Sequence, residues 1–327
     1  MRGHRLICLA AALALLAVPM LAVPSVPASA QSSTPIRLAV GAPAGGSIDT
    51  YARIIAEHMT GTLGRPVIIE IKAGANGNLA AQWVLDGPAD GSQAWVGAQS
   101  MLEVNPSSYK HLRWKRSDFI PIIKGIETPL VLVAHPSVPA KSFAEWVAYA
   151  KANRGKLTYA NYGPGTISHF LGYQLNERFD LGLTQVPYRG NAPQMVDLLA
   201  GHALFGFTQL QSAAEPVRSG LLRGFVSSGA KRAALLPDVP TLAELGHPDL
   251  TATAWFGLLL KTGTPDDVVK RFEAAAIAAH ADRAVQARLA AQGFDVSGVT
   301  GAAFRDSIEE QVVRWAKIVQ ATGFSAD

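Results

Sequence analysis

From about residue 35 onward, short β-rich runs alternate with amphipathic helical stretches almost without a break, and this alternation limits the fold more than any other feature of the chain. A strand followed by a helix and then another strand needs a crossover to reach a parallel neighbour, so the pattern predicts α/β architecture with largely parallel sheets. The first set reads as a strand over 35–41, then a helix with Ile48, Tyr51, Ala52, Ile55 and Met59 on one face. A strand over 66–71, a helix over 79–85 and a strand over 94–98 complete it.

A second set begins after a strongly apolar strand over 129–134, where Ser142-Phe143-Ala144-Glu145 has the capping-box pattern and opens a helix through Trp146, Val147 and Ala150. Its strands are expected over 157–160, 183–187, 203–207 and 222–226, and its helices over 168–178 and 192–200. Asn191 is the expected N-cap of the second of these helices, with Pro193 in its first turn, where a missing N–H costs little. Thr241-Leu242-Ala243-Glu244 repeats the capping-box pattern. An apolar strand over 253–260 then precedes Thr264-Pro265-Asp266-Asp267, which starts a long helical region. The last helix carries Phe304, Ile308, Val312, Trp315 and Val319 along one side, the stripe of a face docked on the body of the protein.

The two apolar strands, near 129–134 and 254–260, bracket the second set. They read as crossings between two lobes, with residues 35–131 plus 255–327 as lobe one and 132–254 as lobe two. Such an arrangement leaves a cleft whose walls are strand-to-helix loops, where open α/β sheets bind ligands.

Residues 1–30 read as an export signal. Arg2 and Arg5 give a basic start, Leu6 to Val18 is an apolar run broken off by Pro19, Pro24 and Pro27, and Ala28-Ser29-Ala30 offers small residues for cleavage. The expected mature chain begins near Gln31 and lies in the periplasm. An uncleaved anchor is the competing reading, while a lipoprotein is disfavoured because Cys8 sits inside the apolar run. Cys8 is the single cysteine, so the mature chain has none for a disulfide, a nucleophile or a metal. The formal net charge of +4 owes two units to Arg2 and Arg5, and the near-neutral remainder, without basic runs interleaved with aromatics, argues against a nucleic-acid partner.

Two glycine-rich turns between a strand and a helix are the main candidates for chemistry. In the first, which runs from Gly41 to Asp49, Ala44, Gly45, Gly46 and Ser47 let a ligand approach the backbone at a helix start, where free N–H groups and partial positive charge suit a carboxylate. The alternative is a plain turn in which Ser47 or Asp49 caps its own helix; Asp49 suits capping or an amine better than an anion. In the second, Tyr162 to His169, the hydroxyls of Thr166 and Ser168 and the amides near Gly165 can donate, and His169 either donates or packs locally. Asn78, in the turn Gly74 to Asn78, and Ser100, after the third strand, are weaker candidates. Arg189 in Tyr188-Arg189-Gly190 pairs with either a ligand carboxylate or a surface acid, and the surface reading is favoured. A nucleophile elbow, a Walker lysine, a His-Glu-x-x-His sequence and metal-spaced carboxylates are all missing, and eight histidines are scattered. Gly163-Pro164-Gly165 lacks the third glycine of a dinucleotide fingerprint.

Across nearly the whole mature chain, ordered short segments resemble the receptors of tripartite tricarboxylate transporters, the Bug-type extracytoplasmic solute-binding proteins. They include Pro43-Ala44-Gly45-Gly46-Ser47 with Asp49, Gly77-Asn78, Asn105-Pro106, Gly165-Thr166 with Ser168-His169, Pro187-Tyr188-Arg189-Gly190, Asp238-Val239-Pro240-Thr241, Trp255-Phe256-Gly257 and Gly263-Thr264-Pro265. The resemblance implies a two-lobed, type II-like periplasmic binding fold, each lobe a mixed or parallel sheet flanked by helices, with two crossover strands as hinge. It also implies capture of a small organic acid in the interlobe cleft, with no catalysis, cofactor or metal, by a monomer that delivers its ligand to membrane permease subunits. Where family members often carry an acid this chain has Thr208, which implies poor recognition of amino acids. Ile71 and Ala73 stand where the family tends to have Asn and Pro, and Asn76 where Gly is usual. Two other readings stay open: a receptor that presents its loaded state to a membrane sensor, and, remotely, an exported hydrolase using Ser47 or Ser168 with His169.

Overall fold

A computed structural model describes residues 34–326; the export-signal reading of residues 1–30 falls outside them. In chain order the elements are β1 (Ile36–Val40), α1 (Ser47–Leu63), β2 (Val67–Ile71), α2 (Asn78–Asp86), β3 (Gln93–Ala98), α3 (Asn105–Ser108) and the long β4 (Phe119–Ala134). The second set comprises α4 (Phe143–Ala152), β5 (Thr158–Asn161), α5 (Ile167–Phe179), β6 (Thr184–Pro187), α6 (Asn191–Ala200), β7 (Phe205–Gln209), α7 (Leu210–Arg218) and β8 (Arg223–Ser227). The chain closes with β9 (Thr253–Lys261), α8 (Asp266–Ala281), α9 (Arg283–Ala291), β10 (Asp295–Thr300) and α10 (Gly301–Thr322).

The strands run in the order β2-β1-β3-β9-β4-β7-β5-β6, with β8 and β10 each also paired to β4. Parallel pairing joins β2, β1 and β3 at one end and β7, β5 and β6 at the other; β9 and β4 are antiparallel to their neighbours in between. The α/β class with mixed sheets flanked by helices, expected from the alternation, is what the chain forms. β4 connects the two parallel sets. Its first part pairs with β9 from Phe119↔Lys261 to Pro129↔Thr253, and its last part pairs with β7 from Leu130↔Gln209 to Ala134↔Phe205.

Burial follows the same division. One apolar cluster gathers Leu38, Ile55, Trp95 and Phe119 from the first set with Leu259, Phe272 and Phe304 from the last. On the last five residues of β4 the side chains alternate: Leu130, Leu132 and Ala134 enter a second cluster with Trp146, Phe170 and Phe205, while Val131 and Val133 enter a third with Leu198, Leu210 and Leu222. That is the two-residue period of a strand buried on both faces, and each such Leu or Val side chain contributes roughly 1.5–3 kcal/mol of transfer free energy. α10 serves both halves, with Phe304 and Ile308 in the first cluster and Trp315 and Val319 in the second.

The differences from the sequence expectations are local. The strand expected over 129–134 begins ten residues earlier, at Phe119, because β9 and β10 supply partners on both sides that override Pro121, Lys124 and Gly125. α7 is an element the sequence pattern did not reveal, although Leu210, Ala213, Ala214 and Val217 have helical spacing; Pro216 near its end disguises it. The N-cap of α6 is Gly190 rather than Asn191, which already lies within the helix and whose side chain bonds Thr208, Gln194 and Ser212. Ser142 caps α4 as expected, accepting from the Glu145 N–H at 3.2 Å. Thr241 and Glu244 also form their reciprocal bonds, at 3.1 and 2.8 Å, yet they close a run of turns and not a helix.

Candidate ligand-binding cleft

Each parallel strand ends in a loop on the same side of the sheet, and five of these loops border one cavity of about 850 Å³. Residues 41–44 and 46–48 follow β1, 73–76 follow β2, 98–101 follow β3, 162–164 with 166–167 follow β5, and 188–193 follow β6. Ala254 and Phe256 of β9, Tyr109, Gln209 and the C-terminal residues 324–326 complete the wall. Such placement beyond the carboxyl ends of parallel strands is where α/β sheets hold ligands.

Three helices begin at this cavity: α1 at Ser47, α5 at Ile167 and α6 at Asn191, and none has a side chain capping its start. The N–H groups of a first helical turn have no partner within the helix, so each start presents donors and a partial positive charge. The loop before α1 is shaped by Gly45, whose φ of 83 suits glycine. Asp49 holds that loop: buried to 3 % exposure, it accepts from the Gly45 N–H at 2.8 Å and from Arg53 Nε at 3.1 Å. Asp49 thus turns back on its own loop; it caps no N–H of the helix start and does not face the cavity. Among the described residues lining the cavity only Arg189 carries a formal charge; it is exposed and makes no ion pair with them.

Of the residues singled out in the sequence, Ala44, Gly46, Ser47, Ser100 and Thr166 line the cavity. The Ser47 hydroxyl lies 2.7 and 2.6 Å from Oε1 of Gln209 and Gln211, so its single hydrogen can serve one of them at a time. Thr166 donates to the Gly163 carbonyl at 2.6 Å and fixes its turn. The others stand behind the wall. Gly45 has its N–H taken by Asp49, and Gly165 has its N–H directed at His169 Nδ1, 3.3 Å away. Ser168 is fully buried, accepting from the Tyr162 N–H at 3.1 Å and bonding the Thr166 hydroxyl at 3.0 Å. The His169 ring packs between Phe170 and Phe324, and burial pulls its pKa down to about 4, so it is neutral at pH 7. Asn78 spends its side-chain oxygen on Asn105 Nδ2 and Trp114 Nε1, at 2.7 and 3.1 Å. Thr208 is fully buried, bonded by Asn191 and donating to Met195 sulfur.

Arg189, for which the surface reading was favoured, lies in the cavity wall with the start of α6, since a turn after β6 ends on the same side as those after β1 and β5. Gln209, Phe256 and Phe324 left no local signal. In the turn after β2 it is Asn76, not Asn78, that reaches the cavity; Asn76 adopts φ 46, which asparagine tolerates better than most residues and which explains glycine as the usual occupant. Behind β3 lies a buried carboxylate. Glu103, 2 % exposed, accepts from Trp255 Nε1 and Gln99 Nε2, both at 2.7 Å, and burial pushes its pKa up to about 7. Among the described residues there is no metal-binding group of three or more His, Cys, Asp or Glu, and no helix is long and apolar enough to cross a membrane.

Comparison with known proteins agrees with this geometry. Protein BugT of Bordetella pertussis is 31 % identical over 300 residues, covering 91 % of this chain and 92 % of that protein. A solved R. palustris protein with adipate superposes with a TM-score of 0.84 at 27 % identity, covering 89 % of this chain and 98 % of the other. MatC of Rhodopseudomonas palustris with bound malate superposes with a TM-score of 0.80 at 30 % identity, covering 87 % and 98 %. Residues 51–324 match the family described as tripartite tricarboxylate transporter family receptor. With fold, cleft and ordered motifs all in agreement, the chain belongs to the tripartite tricarboxylate transporter receptor family, as the sequence resemblance implied.

Proposed function

We propose that this protein captures a small organic acid between two lobes, residues 35–131 plus 255–327 and residues 132–254, and delivers it from the periplasm to the permease subunits of a tripartite transporter. The observation that carries the reading is the convergence of three uncapped helix starts on a cavity with one unpaired cation and no acid in its described wall. Anions are favoured at helix starts, where N–H donors and dipole act together. Gly46, Ser47 and Ile48 would grip a carboxylate from one side, and Ile167, Asn191 and Ala192 from the other, with Ala44 and Ser100 beside them, Thr166 fixing the turn before α5 and Arg189 adding charge. The antiparallel pair β4 and β9 would serve as the hinge.

Adipate and malate in the two solved relatives support a ligand class among the carboxylic acids. The described wall holds no carboxylate to give an ammonium group an ionic partner, which argues against amino acids. Hydrolysis is disfavoured by geometry: the hydroxyls of Ser47 and Ser168 bond to Gln209, Gln211, Tyr162 and Thr166, and neither engages a histidine. The test is thermal denaturation of purified residues 31–327 with mono-, di- and tricarboxylates. A ligand at about 100 times its dissociation constant adds roughly 2.7 kcal/mol of stability. If only neutral or phosphorylated compounds stabilise the protein, the assignment fails.

A further inference from the structure

The C-terminal residues beyond α10 form a strap along the cleft, and nothing about carboxylate capture requires them. Gly323 ends the helix with φ 62, the Phe324 N–H donates to Thr322 Oγ1 at 3.1 Å, and the Ala326 N–H donates to the Ser108 carbonyl at 2.8 Å. The strap is thereby fixed to α3. Phe324 meanwhile packs on α5, with its ring centroid 4.8 Å from His169 and 5.8 Å from Phe170 in edge-on contacts. A Cβ added at Gly165 would lie 3.4 Å from the Phe324 ring, so the turn before α5 and the strap fit closely. Phe324 is only partly buried by these neighbours and also borders the cavity.

The wall around it is largely apolar: Pro43, Ile48, Met101, Tyr162 and Phe256 face the same space. The volume, about 850 Å³, lies toward the upper end of small-molecule pockets, more room than a four-carbon acid needs. Polar groups lie at the helix starts and at Asn76, Gln99, Ser100, Tyr109 and Gln209, and the apolar remainder of the wall rewards carbon-rich groups.

We propose that Phe324 is a specificity-determining residue that packs on the apolar body of the bound acid, so the preferred ligands are carboxylates carrying a long aliphatic chain or an aromatic ring. This rests on the carboxylate reading above. The experiment is calorimetric titration of residues 31–327, wild type, Phe324→Ala and Phe324→Leu, with succinate, adipate and benzoate. The wild type is expected to prefer adipate or benzoate to succinate. Phe324→Ala is expected to lose about tenfold for the preferred acid, the equivalent of 1.4 kcal/mol, and less than about twofold for succinate, with Phe324→Leu recovering part of the loss. A wild-type preference for succinate, or an equal loss for all three acids in both variants, overturns the proposal and leaves carboxylate capture intact. Failure of the wild type to bind any carboxylate removes the underlying reading and this one with it.

Discussion

Substituting valine for Gly46 separates binding from folding, because the position tolerates a side chain in the free protein but borders the cleft. Its backbone sits at φ −80 and ψ 171, extended geometry open to any residue, and the nearest atom to an added Cβ is the Pro43 carbonyl oxygen at 3.6 Å, an ordinary contact. The cost to folding should be about 1 kcal/mol, mainly from replacing glycine by a poor N-cap residue. Binding should suffer far more. The valine methyls would occupy space in front of the Ser47 and Ile48 N–H groups, and hydrogen bonds to a charged group contribute roughly 1.5–3 kcal/mol each. Losing two gives about 3–6 kcal/mol, at least two orders of magnitude in affinity. Calorimetric titration with the best acid, alongside urea denaturation, measures both quantities, and Gly46→Ala should fall between wild type and Gly46→Val. A folded Gly46→Val protein with wild-type affinity would refute the role of the α1 start, and one that does not fold would refute the packing argument.

Arg189→Gln should weaken carboxylate binding roughly five- to thirtyfold and flatten its salt dependence, since Arg189 is the only charged side chain in the described wall; titration at about 50 and 300 mM salt checks this. Glu103 predicts a pH effect on stability. Its pKa rises from 4.5 to about 7 on folding, so the native state holds the proton more tightly and stability is lost as pH climbs between those values. The loss is on the order of 3 kcal/mol at 1.36 kcal/mol per pH unit, and Glu103→Gln should remove it in denaturant melts from pH 4.5 to 8. Gly125→Ala should destabilise by about 3 kcal/mol or more, because the new Cβ would lie 2.0 Å from Tyr51 Oη and 2.4 Å from His280 Nε2, a buried pair 3.1 Å apart; the urea midpoint should fall with unchanged slope.

Much of this protein was legible in its sequence because the relevant physics is local. Alternating periods of two and about 3.6 residues mark strands and helices, so the parallel sets and most element positions followed from which faces must be buried. Gly45 and Gly46 at the end of β1, and Thr166 at the start of α5, were recognisable as helix-start loops for the same reason. Direction was not local. Whether Ser168, His169 or Thr208 turns toward the cleft or into the core depends on neighbours beyond the local turn, and here Tyr162, Phe324 and Asn191 bond or occupy them. The same holds for β4, whose first half becomes a strand only because β9 and β10 lie beside it, and for Phe324, which reaches the cleft because α10 crosses from one core to the other. Sequence determined the elements and the turns between them; tertiary packing decided which polar groups were left without a protein partner, because that depends on contacts between residues far apart in the chain.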